Sequence, residues 1–284
     1  MWWCGLLVVG VVLVSWAIGS THQLLYPEHH RDGLPPSMPA TRRHRLTAPD
    51  GAPLDVWVLA PPAPRGRLLL CHGYYADHTQ VLALADALCQ RGFEALLFEL
   101  RGHGGRRGPC TFGIKEAEDA QAVLAWARES TDAKRLPVGV LGWSMGGAVV
   151  CQVALREPDV RAVVVDSVYA RFFPVLQHAI WRRYHLPSIP WAWITWGALQ
   201  IALGRQLSAT DPAVLAPRLH QSLFAIHSSD DARVDPRLGA EFYERWAGPK
   251  EQWLEPAANH VGAFAKDPAR YCNRVARFFE RTLA

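Results

Sequence analysis

The seven residues Leu141-Gly142-Trp143-Ser144-Met145-Gly146-Gly147 constrain the fold more than any other part of the chain. They set a G-x-S-x-G pentapeptide between two segments of different periodicity. Before it, Val138 to Leu141 is apolar and rich in valine, as suits a buried parallel strand, while Ala148 to Leu155 continues with the spacing of an amphipathic helix. A serine at that junction sits on a sharp strand-to-helix turn. Gly142 and Gly146 carry no Cβ, so the turn can close tightly and the helix can lie against the strand. The helix N-terminus then points unpaired N–H groups at any oxyanion forming beside Ser144. The same pattern also fits an ordinary turn, so the rest of the chain has to supply the partners that a nucleophilic serine requires.

Serine becomes a good nucleophile when a base removes its proton, and the base works best when a carboxylate fixes its tautomer and orientation. Histidines follow Ser144 at positions 178, 185, 220, 227 and 260, but only His260 also follows the acidic pair Asp230-Asp231. That gives the chain order serine, acid, histidine. His260 stands in a loop of small residues, Pro256 to Gly262, after the strand-like Glu251 to Leu254 and before a helix opened by Asp267-Pro268. The acid is less sharply defined. Asp230 and Asp231 follow the strand-like Ser222 to His227, at the strand end where open α/β sheets keep their ligands, and only one of them can face the histidine. Asp235 before Pro236 reads as a helix N-cap, and Asp166, at the end of Arg161 to Val165, is a further candidate acid.

With these segments in view, the chain from about Pro53 to the C-terminus resembles the α/β-hydrolase superfamily, and within it the serine hydrolases grouped with monoglyceride lipases, serine aminopeptidase-like esterases and BEM46-type membrane hydrolases. Four motifs carry the resemblance: Leu70-Cys71-His72-Gly73-Tyr74, Glu99-Leu100-Arg101-Gly102-His103-Gly104, Gly142 to Gly147, and Asp231 to Val234 with His260. The family pattern G-x-x-D-x-x-V-P aligns with Ser228 to Asp235, which puts Asp231 in the acid role, with Ser228 in place of glycine and Asp235 in place of proline. The resemblance further implies an oxyanion hole made by the backbone N–H groups of Tyr74 and Met145, a structural rather than basic role for His72, and a turn-forming role for Arg101 to Gly104. It implies a catalytic triad of Ser144, Asp231 and His260 that needs neither metal nor cofactor. The expected activity is hydrolysis of an acyl ester, in the manner of a carboxylesterase or lipase. A thioesterase, amidase or peptidase uses the same triad, and a non-catalytic binding protein of the same fold is the alternative from another class.

Composition narrows the field. The chain has 284 residues, half of them apolar, enough for one large α/β domain. Its net charge of +4 is spread along the chain, with tight basic clusters only at Arg42 to Arg45, Arg106-Arg107 and Arg182-Arg183, so no nucleic-acid-binding stripe is expected. The glycines around Arg106 and Arg107 are not followed by a P-loop lysine, which argues against a nucleotide cradle. Six cysteines without C-x-x-C spacing indicate core thiols rather than a zinc site or a disulfide framework.

Residues 1–21 form a hydrophobic segment with no charge until Glu28. The stretch Trp2 to Ile18 spans ~26 Å as a helix against a hydrocarbon core of ~30 Å, and Gly19 to Thr21 close most of that gap. A cleaved signal peptide is the rival reading, but no Lys or Arg precedes the apolar run, and Ala17-Ile18-Gly19 is a poor cleavage site. We therefore expect a single-pass membrane anchor. Arg31, Arg42, Arg43 and Arg45 follow it, which favours a cytoplasmic catalytic domain. Residues 22–41, rich in proline, read as a linker. From residue 42 to 284, strand and helix patterns alternate, predicting an α/β-hydrolase fold with a mostly parallel, doubly wound sheet. One stretch breaks the alternation: residues 168–210 hold Trp181, Trp191, Trp193 and Trp196 among prolines, as expected of a helical lid that lines a lipophilic pocket or sits at a membrane interface. The expected partners are a small acyl ester or lipid and the membrane itself; oligomeric state is not legible.

Overall fold

The computed structural model describes residues 2–28, 41–130, 136–204 and 207–284. An apolar helix, α1 (Trp2–Leu25), precedes a hairpin of β1 (Thr41–Thr47) and β2 (Pro53–Leu59), which reverses at Asp50-Gly51. Strands and helices then alternate through β3 (Gly66–Cys71), α2 (Leu82–Gln90), β4 (Phe93–Phe98), α3 (Ile114–Ser130), β5 (Val138–Trp143), α4 (Met145–Arg156) and β6 (Val160–Asp166). Two helices, α5 (Phe172–Tyr184) and α6 (Ser188–Ala202), interrupt the alternation where a lid was expected. The short α7 (Pro212–Leu215) leads back to β7 (Ser222–Ser228), α8 (Pro236–Arg245), β8 (Lys250–Glu255), α9 (Gly262–Lys266) and α10 (Pro268–Thr282).

The described strands form one eight-stranded sheet in the order β1-β2-β4-β3-β5-β6-β7-β8. The β1–β2 and β2–β4 pairs are antiparallel, and every pairing from β4 to β8 is parallel. Parallel strands joined by helices are covered on both faces, which explains their nearly continuous apolar sequences. In β3, Leu68 and Leu70 enter one core with α2 and α10, whereas Leu69 and Cys71 enter the other with α3 and α4. Each such side chain, fully removed from water, contributes about 1.5–3 kcal/mol. The strand order reverses between β3 and β5, so the loops leaving these two strands part and open a crevice at their C-terminal ends.

One boundary differs from the sequence expectation. Helix α1 does not end at residue 21 but runs to Leu25, because its last turn finds partners in the domain. The Tyr184 hydroxyl donates to Gln23 Oε1 at 2.7 Å, the Tyr74 hydroxyl donates to the Leu24 carbonyl at 2.8 Å, and Cys110 N–H donates to the Leu25 carbonyl at 2.7 Å. Two turns earlier, Trp16 Nε1 donates to Thr195 Oγ1 at 2.9 Å, and the Trp16 ring meets Tyr184 and Trp191 edge-on. The first half of the helix has no such cover: Leu6 and Leu7 are 66% and 70% exposed. Gly5–Leu25 is long and apolar enough to cross a membrane. Residues 29–40, most of the expected linker, lie outside the described residues.

Candidate active site

Ser144 occupies the turn between β5 and α4 with φ 52° and ψ −116°, a left-handed conformation that a side chain adopts only when its surroundings enforce it. The enforcement comes from both sides of the turn. Ser144 N–H donates to the Asp166 carbonyl at 2.8 Å, and the Ser144 carbonyl accepts from Gly147 N–H at 2.9 Å. A Cβ on Gly142 would strike the Gly146 carbonyl, and one on Gly146 would strike the Cys71 and His72 carbonyls, so larger residues would push α4 away from β3 and β5.

The structure brings Ser144, His260 and Asp231 into one hydrogen-bonded line. His260 Nε2 lies 2.8 Å from Ser144 Oγ, and His260 Nδ1 lies 2.7 Å from Asp231 Oδ2. With Nδ1–H donated to the carboxylate, Nε2 is left to accept the serine proton. The other carboxylate oxygen, Oδ1, accepts the N–H groups of Arg233 and Val234, both at 2.9 Å. Burial opposes charge on Asp231, but the hydrogen bond and charge of His260, with these two backbone donors, outweigh it and hold the carboxyl below its usual pKa. The acid therefore stays ionised beside the histidine.

The other candidate acids have different surroundings. Asp230 turns away and accepts Ala257 N–H at 2.7 Å, which ties the acid loop to the histidine loop. Asp235 caps α8 by accepting Arg237 N–H at 2.9 Å. Asp166 is fully enclosed beneath the elbow, where Tyr271 OH donates to it at 3.0 Å and Ser167 Oγ at 2.9 Å. Burial pushes its carboxyl up to about 6, against the pull of those two donors. Its side chain makes no hydrogen bond to His260 among the described contacts.

The loop after β3 passes beside the serine: a Cβ on Gly73 would come within 3.5 Å of Ser144 Cβ. Neither Tyr74 N–H nor Met145 N–H, the first of α4, has an acceptor among the described residues. The loop is held by two side chains. Gln80 Oε1 accepts Gly73 N–H at 2.7 Å, and His72 Nδ1 lies 2.8 Å from the Gly73 carbonyl while its Nε2 accepts Leu100 N–H at 3.1 Å. His72 thus binds the chain on both sides and is not aimed at the serine. Arg101 pairs with Asp119 at 2.7 Å and His103 Nδ1 meets the Arg101 carbonyl, so that motif too is architectural.

Sequence reading missed Ser167 and Gln80. Ser167 Oγ accepts Val261 N–H at 3.0 Å and so positions the histidine loop from beneath. Nothing in the sequence near Ser167 marks it; it acts across 94 residues. The tryptophans of the lid also differ from the pocket-lining role. Trp191 packs on Trp16, Trp196 on Phe172 and Phe173, and Trp181 and Trp193 are more than half exposed. The cleft over Ser144, of about 920 Å³, is lined instead by Phe112, Phe172, Leu176 and Ile180 at its buried end, with Leu24 of α1 forming part of its wall. Tryptophan is large and indole N–H needs a partner, so it settles at helix contacts and surfaces while phenylalanine and aliphatic residues take the dry, buried end of the cleft.

An eight-stranded, mostly parallel sheet with a strained serine turn after β5, an acid after β7 and a histidine after β8 is the α/β-hydrolase arrangement, and the chain has the α/β-hydrolase fold. Residues 62–184 match the family described as serine aminopeptidase, S33. The chain is 24% identical to the uncharacterized protein YqkD of Bacillus subtilis over 78% of its own length and 73% of that protein's. It is 26% identical to the uncharacterized protein Rv2307c of Mycobacterium tuberculosis over 98% and 92% of the two chains. Among solved structures, it superposes on the esterase Pf2001 of Pyrococcus furiosus with a TM-score of 0.75 and 21% identity, covering 92% of this chain and 98% of that one. At that identity the likeness speaks for the fold.

Proposed function

We propose that this α/β hydrolase cleaves acyl esters through a covalent acyl-enzyme on Ser144. The observation that carries the reading is the continuous line from Ser144 Oγ through His260 to Asp231, with both steps under 3 Å. Ser144 Oγ attacks the ester carbonyl as His260 Nε2 takes its proton, and Asp231 stabilises the imidazolium that forms. The N–H groups of Tyr74 and Met145 receive the oxyanion; one such donor is worth about 3–4 kcal/mol of transition-state stabilisation. His260 then gives its proton to the departing alcohol, and water releases the acyl group by the same steps in reverse.

The match to serine aminopeptidases raises peptide hydrolysis as a second reading. Recognition of a free peptide N-terminus calls for a carboxylate near the serine, and the described lining of the cleft carries arginines and no carboxylate. Ester hydrolysis is therefore favoured. A panel of acyl esters, thioesters, amides and aminoacyl amides, assayed on the purified protein and on Ser144→Ala, tests this. Turnover of esters well above amides, abolished in the variant, is expected; turnover confined to aminoacyl amides would overturn it.

We also infer that α1 is an uncleaved membrane anchor. Its apolar first half is suited to lipid, and Trp16, which cleavage after Ala17 to Gly19 would remove, is bonded to Thr195 and packed on Tyr184 and Trp191 of the domain. The protein should sediment with membranes and resist alkaline carbonate extraction. A mature form beginning near Ser20 would show that the segment is a signal peptide.

A further inference from the structure

The cleft over Ser144 has two unlike ends. Its buried end is apolar, with Phe112, Phe172, Leu176 and Ile180. Its exposed end carries Arg182, Arg183 and Arg233, and no Asp or Glu is among the residues that line it. Several arginines elsewhere on the surface are paired, Arg43 and Arg45 with Asp55, Arg171 with Glu241, Arg237 with Asp235, and Arg281 with Glu251, whereas others such as Arg107 and Arg218 stand singly among the described residues. Among the described residues the three arginines of the mouth have no carboxylate within ion-pair distance. Arg182 and Arg183 lie in the last turn of α5, where the helix dipole favours cations. That does not account for Arg233, which stands at the mouth because its own N–H is bound by the triad carboxylate of Asp231. The two groups are also tied together, since Arg182 donates to the carbonyl of Ala232. Three positive charges held around one opening raise the local concentration of anions and lower the energy of one bound there.

The opposite wall belongs to α1, through Ser20, Gln23 and Leu24. With the apolar half of α1 in a bilayer, this wall and the arginines stand at the level where lipid headgroups meet water, the level at which arginine is favoured. We propose that the cleft selects an amphiphilic ester bearing an anionic group, its acyl chain against Phe112, Phe172, Leu176 and Ile180 at the buried end and its anionic group held by Arg182, Arg183 and Arg233. This rests on the ester reading of Ser144.

Two substrates that differ only in the anion test it: a 1-acylglycerol 3-phosphate and the uncharged 1-acylglycerol of the same chain, given to the full-length protein in one neutral detergent. We expect kcat/KM for the phosphate ester to be about tenfold higher or more at low salt, and the preference to shrink as salt screens the arginines. In the combined variant Arg182→Gln, Arg183→Gln, Arg233→Gln the ratio should fall towards one, and in the corresponding triple lysine variant it should largely return. Equal kcat/KM values for the two esters in the wild type would overturn the proposal, as would a ratio that survives in the glutamine variant. Arginines that serve only to dock the protein on anionic lipid would leave the ratio unchanged and so give that second result. A parallel measurement does not depend on ester turnover: protection of Ser144 from a fluorophosphonate by 1-O-dodecylglycerol 3-phosphate and by 1-O-dodecylglycerol. Stronger protection by the phosphate, lost in the glutamine variant, supports the anion site even if neither ester is cleaved, in which case the ester reading is the one that fails. Turnover of both esters without preference, and equal protection, leaves the ester reading standing and removes the anion site.

Discussion

Beneath the cleft, at the C-terminal ends of β5, β6 and β7, hydrogen bonds to main-chain groups hold every part of the proposed triad: Ser144 by the Asp166 and Gly147 backbone, Asp231 by two N–H donors, and the His260 loop by its own N–H groups on the Ser167 and Asp230 side chains. Above it, α1, α5 and α6 meet largely through rings and aliphatic side chains, with a few side-chain hydrogen bonds such as Trp16 to Thr195. Backbone contacts hold geometry to fractions of an ångström, as proton transfer demands. Apolar helix contacts tolerate repacking, as selection among acyl chains requires. Substitutions below should therefore act on kcat, and substitutions above on the choice of substrate.

The largest effect is expected at the acid. Asp231→Asn should lower kcat by about 10⁴, because the amide no longer fixes the tautomer of His260 or balances its charge. Asp166→Asn should cost far less, and Asp230→Asn should act only through the loop it holds. Equal losses at Asp231 and Asp166 in steady-state assays would dissolve the distinction between the two acids.

The oxyanion loop comes next. Gln80→Leu removes the acceptor of Gly73 N–H, and an orphaned buried donor costs about 1–3 kcal/mol. If that cost falls on the placement of Tyr74 N–H, kcat should drop by about tenfold or more with KM little changed. A change confined to KM would assign Gln80 to substrate binding.

In the cover, Leu176→Ala should depress kcat/KM for an octanoyl ester more than for an acetyl ester by about tenfold, since each methylene that loses apolar cover forfeits ~0.8 kcal/mol. Trp193→Ala, on the outer surface of α6, should leave that ratio unaltered. A shift of the ratio in Trp193→Ala alone would return the lid tryptophans to the substrate pocket.

The smallest effect is on stability. Burial raises Asp166 to about 6, against a usual value of 3.8, so the folded protein keeps a proton there that the unfolded chain has already lost. This contribution to stability is fully present below pH 4 and is lost as the pH rises through 6. Asp166→Asn does not titrate, so its Tm relative to the wild type should rise by on the order of a few degrees between pH 4 and pH 7. A constant difference would mean that Asp166 is ionised throughout.

How much of this was legible in the sequence follows the same division. The parallel sheet and the serine turn could be read because strand and helix periodicities change within a few residues of Ser144, and His260 because chain order singles it out. Asp230 and Asp231 are adjacent and chemically alike; they are separated only by which faces the histidine, and that depends on the turn through Arg233 and Val234. The burial of Asp166 against Tyr271 spans 105 residues and leaves no local signal. The role of the lid tryptophans stays open between two alternatives in the sequence because an apolar aromatic helix has the same composition whether it lines a pocket, packs on α1 or faces lipid. The docking of α1 into the cleft wall was hidden for the same reason as the Ser167 contact: it joins residues far apart in the chain.

The central claim is that Ser144 becomes acylated with His260 as its base. A fluorophosphonate probe followed by peptide mapping reads this directly: the adduct should fall on the peptide carrying Ser144 in the wild type, form much more slowly in His260→Ala and be absent in Ser144→Ala. Labelling of another residue in the wild type, or undiminished labelling in Ser144→Ala, would contradict it.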